Sequence, residues 1–206
     1  MGFITFRRYY LDYYLNLTNF SGKVLDVGGK KDNKRGEFRP QLDNVESWEY
    51  LNIDSDSKPD YLCSAEDIPV EDNTFDYIIL TDVLEHLENP IDVLKECKRV
   101  LKANGTIVIT MPFLNGVHAD PYDFQRWTDI KHKRELELLK FENIDIKPMG
   151  GKVSVIFDII LHSSHKRNII SKVANKVIRI TSSLLLKIDK PSRFITTGYF
   201  ISAVKF

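Results

Sequence analysis

Apolar positions fall into short solid blocks that alternate with amphipathic stretches. Phe3, Phe6, Tyr10, Tyr13, Tyr14 and Leu17 recur close to a helical period and predict a helix over 3–17 lying on the domain. Val24-Leu25-Asp26-Val27, bounded by Gly22 and Gly28, is too short for a helix and reads as a buried strand, 23–27. Trp48–Ile53 and Tyr61–Cys63 read as two further strands, and 73–80 as a turn feeding a central one. Pro90 starts a helix with Ile91, Val93, Leu94, Cys97, Val100 and Leu101 as its apolar positions. Proline suits a first turn, where its missing N–H would have no partner. Asn104-Gly105 predicts a turn into a strand over 106–111. Thr128 predicts an N-cap for a helix over 129–140 with Leu136, Leu138 and Leu139 as apolar positions. Strands near 143–147 and 153–157 and a last strand over 199–204 complete the pattern. Strands alternating with helices give a parallel α/β sheet. One stretch departs from this rhythm: Lys30 to Ser47 is polar, with only Phe38, Leu42 and Val45 as apolar anchors, so a short or irregular helix is expected there.

Composition narrows the class. A chain of 206 residues can bury a sizeable core as one domain. Lys plus Arg and Asp plus Glu both total 29, so global charge points to no polyanionic partner. Nucleic acid is not expected as substrate, because no basic patch with interleaved aromatics flanks the strand ends. Cys63 and Cys97 stand apart, without a CxxC pair, and read as reduced thiols of a cytoplasmic protein. Arg7, Arg8 and Asp12 interrupt the N-terminal apolar run, so no signal peptide is expected, and no stretch approaches the ~20 apolar residues of a membrane span.

Chemistry gathers where strands end. Gly28-Gly29 lets the backbone turn sharply and approach a ligand closely, in the crevice beyond the carboxyl ends of an open sheet. Asp54, at the end of the second strand, is placed to accept hydrogen bonds from ribose hydroxyls; the alternative is a solvated turn carboxylate. The loop Pro112–Thr128 follows the strand after the 90–103 helix and should overhang the same edge. In it, His118 and Asp120 can form a base and its orienting partner. Asp123, Arg126 and Trp127 can fix a polar ring-shaped substrate, or Asp123–Arg126 can be a salt bridge capping the next helix. His118, Asp120 and Asp123 make a poor metal set, one histidine with two flexible acids, and no metal is expected. His86 reads as structural.

The stretch from about 158 to 190 is an elaboration. Ile169, Val173, Val177, Ile180 and Leu184 share one helical face, with Lys172, Lys176 and Arg179 on a neighbouring one. From 163 to 193 the bases Lys166, Arg167, Lys172, Lys176, Arg179, Lys187, Lys190 and Arg193 face one acid, Asp189. Such a helix packs on the sheet as a substrate lid, pairs with its copy in a homodimer, or lies on an anionic membrane at its inner face. The packing reading is the one expected.

In order, these residues resemble a class I S-adenosylmethionine-dependent methyltransferase of the type 11 (ubiquinone-biosynthesis-like) group. The resemblance is carried by Val24-Leu25-Asp26-Val27-Gly28, by Asp54, by Ser64-Ala65-Glu66-Asp67-Ile68-Pro69 with Asn73-Thr74-Phe75-Asp76, and by Val83-Leu84-Glu85-His86 with Arg99-Val100-Leu101-Lys102-Ala103-Asn104-Gly105. It covers about 20–147 and the last strand. It implies a Rossmann-like, seven-stranded, mostly parallel sheet with an antiparallel last strand and helices on both faces. The implied layout is an N-terminal helix (1–20), a cofactor-binding core (21–157), a helical insertion (158–193) and a last strand (194–206). It further implies that Asp26, Gly28 and Gly29 line the methionine end of the cofactor, that Asp54 holds the ribose, that Ser64, Ala65 and Glu66 flank the adenine, and that Asp82 sits at the mouth. Lys30 and Asp32 stand where the family carries further glycines, and Ser64 where it carries an acid. The 118–128 segment resembles an HxxPxDFxRxT loop of methyltransferases linked to cell-envelope and sugar pathways, which suggests a small-molecule or glycan-like hydroxyl acceptor. Two other readings are a silent methyltransferase-like binding domain and a nicotinamide oxidoreductase; the latter leaves the 64–76 and 82–105 segments unexplained.

Overall fold

The computed structural model describes residues 5–32, 36–119, 121–163 and 169–206, without the side chains of 163, 169–172, 174 and 175. In chain order it contains α1 (Phe6–Leu17), β1 (Gly22–Val27), β2 (Val45–Asn52), β3 (Tyr61–Leu62), β4 (Phe75–Thr81), α2 (Pro90–Val100), β5 (Leu101–Pro112), α3 (Asp129–Leu138), β6 (Phe141–Pro148), α4 (Lys152–Ser163), α5 (Ile169–Ile188) and β7 (Gly198–Lys205). The strands form one sheet in the order β3-β2-β1-β4-β5-β7-β6. β1 to β5 pair in parallel, and β7 runs antiparallel between β5 and β6. This is the expected Rossmann-like sheet.

Neighbouring residues on the central strands feed opposite faces, which is why those strands read as solid apolar blocks. Leu25, Ile78 and Ile107 join Val93, Leu94 and Cys97 of α2 and Leu136 of α3. Val24, Ile79 and Val108 join Tyr10, Leu11 and Leu15 of α1 and Phe200 of β7. The chain leaves β1 outward to β2 and β3, then returns to lay β4 on the other side of β1. That reversal opens a crevice beyond the β1 and β4 carboxyl ends. α1 is fixed there by α4, whose buried Asp158 accepts from the Phe6 and Arg7 N–H groups at 2.7 and 2.9 Å. Burial pushes the Asp158 carboxyl up, against the pull of those two N–H groups.

Four expectations change. Residues 28–44 contain no helix among the described residues. The loop hangs on α1 and β2 instead: Asp12 accepts from Glu37 N–H at 2.7 Å, and Phe38 packs on Phe20 and Trp48 at ring separations of 6.2 and 6.1 Å. Asn104-Gly105 does not end an element but forms an irregularity within β5, where Asn104 takes φ 62°. Residues 153–157 belong to α4 rather than a strand, a short apolar run that period alone cannot assign. What decides it is Asp189, which accepts from Gly151 N–H at 2.9 Å and Val153 N–H at 3.2 Å and so caps the helix start. Finally, the apolar face of α5 does not pack on the sheet. Val173, Val177, Ile180 and Leu184 are 53–69% exposed, while Ile178 and Ser182 turn inward. Ile169 and Lys172 lie among the side chains not described, and Lys166 and Arg167 outside the described residues.

Candidate active site

The crevice starts at β1. Gly28 has φ 77°, a conformation disfavoured for a side-chain-bearing residue, and a Cβ there would stand 2.7 Å from Val83 Cγ2. A Cβ on Gly29 would meet the Asp26 carboxyl carbon at 2.4 Å. Asn52, the last residue of β2, donates to Gly29 O at 3.0 Å and accepts from Asp54 N–H at 3.0 Å. One side chain therefore sets both the glycine turn and the acid. The Asp54 carboxylate is 45% exposed, with Lys30 Nζ at 3.4 Å. Beyond β3, Ala65 is buried while Ser64 and Glu66 are exposed, and Ser64 Oγ accepts from Glu66 N–H at 3.3 Å. A glycine turn packed this closely on Val83 and Asp26, beside an exposed carboxylate at the strand ends, suits a nucleoside-bearing cofactor.

At the end of β4 the chain turns through Asp82, a non-glycine residue at φ 56°. Its carboxylate is held by Arg7 Nη1 at 2.6 Å and by Thr110 Oγ1 at 3.0 Å. Burial works against ionisation, but Arg7 prevails and keeps the Asp82 carboxyl below its usual range. The next turn, Leu84–His86, carries Glu85, whose side chain is 0% exposed. Among the described residues neither Glu85 carboxylate oxygen has a hydrogen-bond partner on another residue. Burial, and then repulsion from Asp82, push its pKa up to about 8, with Arg7 and Arg126 pulling the other way.

The loop after β5 is laid over this turn. Phe124 N–H donates to Glu85 O at 2.8 Å, and Gln125 Nε2 to Leu87 O at 2.7 Å. Asp123 organises the loop: it takes a bidentate pair from Arg126 and accepts from His118 N–H at 2.8 Å. Arg126 above all brings its carboxyl down to about 2. His118 Nδ1 donates to Gly116 O at 3.3 Å, and His86 Nδ1 to Tyr122 O at 2.6 Å. A carbonyl only accepts, so each Nδ1 carries its proton and each Nε2 offers a lone pair. Both Nε2 atoms stand 3.8 Å from Glu85 Oε1. Burial holds the His118 pKa below its ordinary value.

Among the expected site residues, Asp26, Gly28, Gly29, Asp54, Ser64, Ala65 and Glu66 line the β1–β3 side, and Asp82 and His118 gather at the β4–β5 side. Asp120 lies outside the described residues. Asp123 and Arg126 form the salt bridge that was the alternative to substrate contact. Trp127 turns into the core at 5% exposure, its Nε1 donating to Gln125 Oε1 at 2.7 Å. Sequence reasoning gave Arg7 and Glu85 no site role and read His86 as structural. Arg7 was visible as a charge interrupting an aromatic helix, and Glu85-His86 as an acid and imidazole side by side just after a central strand.

Comparison with known proteins agrees with this layout. Residues 20–109 match the family model described as a methyltransferase domain, type 11. A 48-residue stretch is 44% identical to an uncharacterized protein of Methanocaldococcus jannaschii; the match spans 23% of this chain and 23% of that protein. Solved structures share the fold over nearly the whole chain. A SAM-dependent methyltransferase from Archaeoglobus fulgidus superposes with a TM-score of 0.58 at 19% identity, covering 96% of this chain and 92% of that one. A SAM-dependent methyltransferase, possible histamine N-methyltransferase, from Thermotoga maritima gives 0.59 at 14% identity, covering 98% and 92%. Haemonchus contortus phosphoethanolamine N-methyltransferase 2, in complex with phosphomonomethylethanolamine and S-adenosylhomocysteine, gives 0.58 at 15%, covering 96% of this chain and 52% of that one.

Proposed function

We propose that this protein is an S-adenosylmethionine-dependent methyltransferase acting on a hydroxyl of a small or glycan-like acceptor, a reading supported by the match of residues 20–109 to the methyltransferase-domain family model. The observation that carries the reading is the pairing of the Gly28-Gly29 turn with the open Asp54 carboxylate across the β1/β2 ends. Asp26, Gly28 and Gly29 would hold the amino-acid end of the cofactor, Asp54 its ribose, and Ser64, Ala65 and Glu66 the adenine. When bound, the cofactor supplies a sulfonium methyl, and transfer makes an O–C bond as the C–S bond breaks with its electron pair kept by sulfur. What remains for the protein is to position the acceptor, exclude water and accept the hydroxyl proton. His118 Nε2 is the base, since Gly116 O fixes the tautomer that leaves this nitrogen unprotonated. Asp123 and Arg126 act by holding the His118 loop in place. Asp120 remains in this proposal as a second contributor from the same loop. The loop's HxxPxDFxRxT pattern supports a glycan-like acceptor.

The test is calorimetric titration with S-adenosylhomocysteine. Micromolar binding to the wild type, weakened at least about tenfold in Asp54→Ala, is expected from loss of a charge-assisted hydrogen-bond partner. Absence of binding to the wild type would instead favour a silent methyltransferase-like domain.

The exposed stripe of α5 favours a further element of the reading, contact with an anionic membrane. Val173, Val177, Ile180, Leu184 and Ile188 stand exposed, with Lys176, Arg179 and Lys187 exposed nearby. No helix of the described residues is long and apolar enough to cross a membrane, so the contact would be peripheral.

A further inference from the structure

We infer that Glu85, His86 and His118 form a binding site for a divalent first-row transition-metal ion at the acceptor side of the crevice. Three potential ligand atoms, one from each residue, lie within 4.8 Å of one another. Both imidazole Nε2 atoms stand 3.8 Å from Glu85 Oε1. Two ligands each about 2.1 Å from one ion at a tetrahedral angle stand about 3.4 Å apart, so closure asks only small side-chain rotations.

The observation independent of this spacing is Glu85 itself. Its side chain is 0% exposed, and neither oxygen has a hydrogen-bond partner on another described residue. A buried acid without a partner is costly whether ionised or protonated, and an ion beside it supplies the missing partner. The outer shell is already in place. His86 donates from Nδ1 to Tyr122 O, and His118 from Nδ1 to Gly116 O, which orients both rings with Nε2 toward Glu85. Backbone carbonyls behind metal-bound imidazoles perform this task in metal sites generally. Two imidazoles and one carboxylate suit zinc, manganese, iron or cobalt better than magnesium or calcium, which prefer oxygen ligands. Three protein ligands leave coordination positions open.

Binding of the ion stands on these residues alone; its role in catalysis rests on the methyltransferase reading. In that role an acceptor hydroxyl would take an open position and the ion would lower its pKa, so that the proton is lost to solvent as the acceptor binds, before methyl transfer. His118 is then a ligand, not the base.

The test is titration of the EDTA-treated full chain with Zn²⁺, Co²⁺ and Mg²⁺, by calorimetry and by visible absorption for Co²⁺. One equivalent of Zn²⁺ and of Co²⁺ should bind, with Mg²⁺ much weaker. Losing an outer-shell partner typically costs 10- to 100-fold, so losing a ligand in Glu85→Gln or His118→Ala should weaken Zn²⁺ at least about 100-fold. Absence of Zn²⁺ and Co²⁺ binding, or equal binding in wild type and both variants, would overturn the site. The urea midpoint of each variant confirms that it is folded; should Glu85→Gln fail there, His118→Ala, on the surface loop, carries the comparison. Wild type that binds Zn²⁺ but not S-adenosylhomocysteine would sink the methyltransferase reading and keep the metal site.

Discussion

Arg7 Nη1 stands 2.6 Å from Asp82 Oδ2, and this pair ties the helix ahead of β1 to the turn that leaves β4. Both side chains are mostly buried, at 15% and 17% exposure. The helix therefore contributes a cation to a wall of the crevice rather than merely covering the sheet. Removing one partner of a buried pair leaves the other charge uncompensated, at a cost of about 3–5 kcal/mol. Here residual exposure and the Thr110 hydroxyl soften that loss, so Arg7→Met should destabilise by roughly 2–4 kcal/mol. Urea unfolding monitored by tryptophan fluorescence measures it. A midpoint unchanged from wild type would mean that α1 does not hold the site.

Gly28 and Gly29 separate conformational strain from local crowding. Gly28→Ala places a side chain at φ 77° and 2.7 Å from Val83 Cγ2. The left-handed conformation costs about 1–2 kcal/mol, or a melting temperature roughly 2–8 °C lower for a chain of this size. Gly29→Ala meets no such backbone strain but drives its methyl against the Asp26 carboxylate. Its effect should fall on S-adenosylhomocysteine affinity more than on melting temperature. Equal thermal losses in the two variants would refute this division.

The limits of the sequence reading follow from range. β1, β4 and β7 were legible because each is an apolar block, and α2 because its face repeats at a helical period. The 153–157 run was not, because its helical state depends on Asp189, 36 residues beyond Val153. The Gly28–Asp54 crevice could be anticipated from strand order, since both residues stand at strand ends. Glu85 could not: its significance is that nothing satisfies it, which only the packed environment reveals. Arg7 escaped for the same reason, 75 residues from the acid it meets.

His132 should make the fold sensitive to acid. Its ring is 1% exposed, packed beside Trp127 and Tyr199, and neither nitrogen has a hydrogen-bond partner among the described residues. Burial alone lowers its pKa to about 3 from an ordinary 6.5. The native state keeps the ring neutral while the unfolded chain takes up a proton below pH 6.5, so stability falls as pH drops from 6.5 toward 3. From pH 6.5 to 5 this amounts to roughly 2 kcal/mol. His132→Phe should flatten that slope, read as urea midpoints across the pH range. A variant whose midpoint tracks the wild type at every pH would exclude the effect.

The outward face of α5 gives the last test. Ile180 and Leu184 are 69% and 61% exposed, one turn apart on the same stripe as Val173, Val177 and Ile188. Insertion of such a stripe into the boundary between headgroups and acyl chains scales with apolar area, and the neighbouring bases add attraction for anionic lipid. Sedimentation with phosphatidylserine-containing liposomes should capture the wild type and release it as salt rises, since screening shortens the reach of exposed charges. Ile180→Glu with Leu184→Glu should abolish capture without changing S-adenosylhomocysteine binding, because both residues lie on a face turned away from the sheet. If the wild type instead stays in solution and analytical ultracentrifugation finds a dimer that the double variant breaks, the stripe is a contact between two copies and the membrane reading fails.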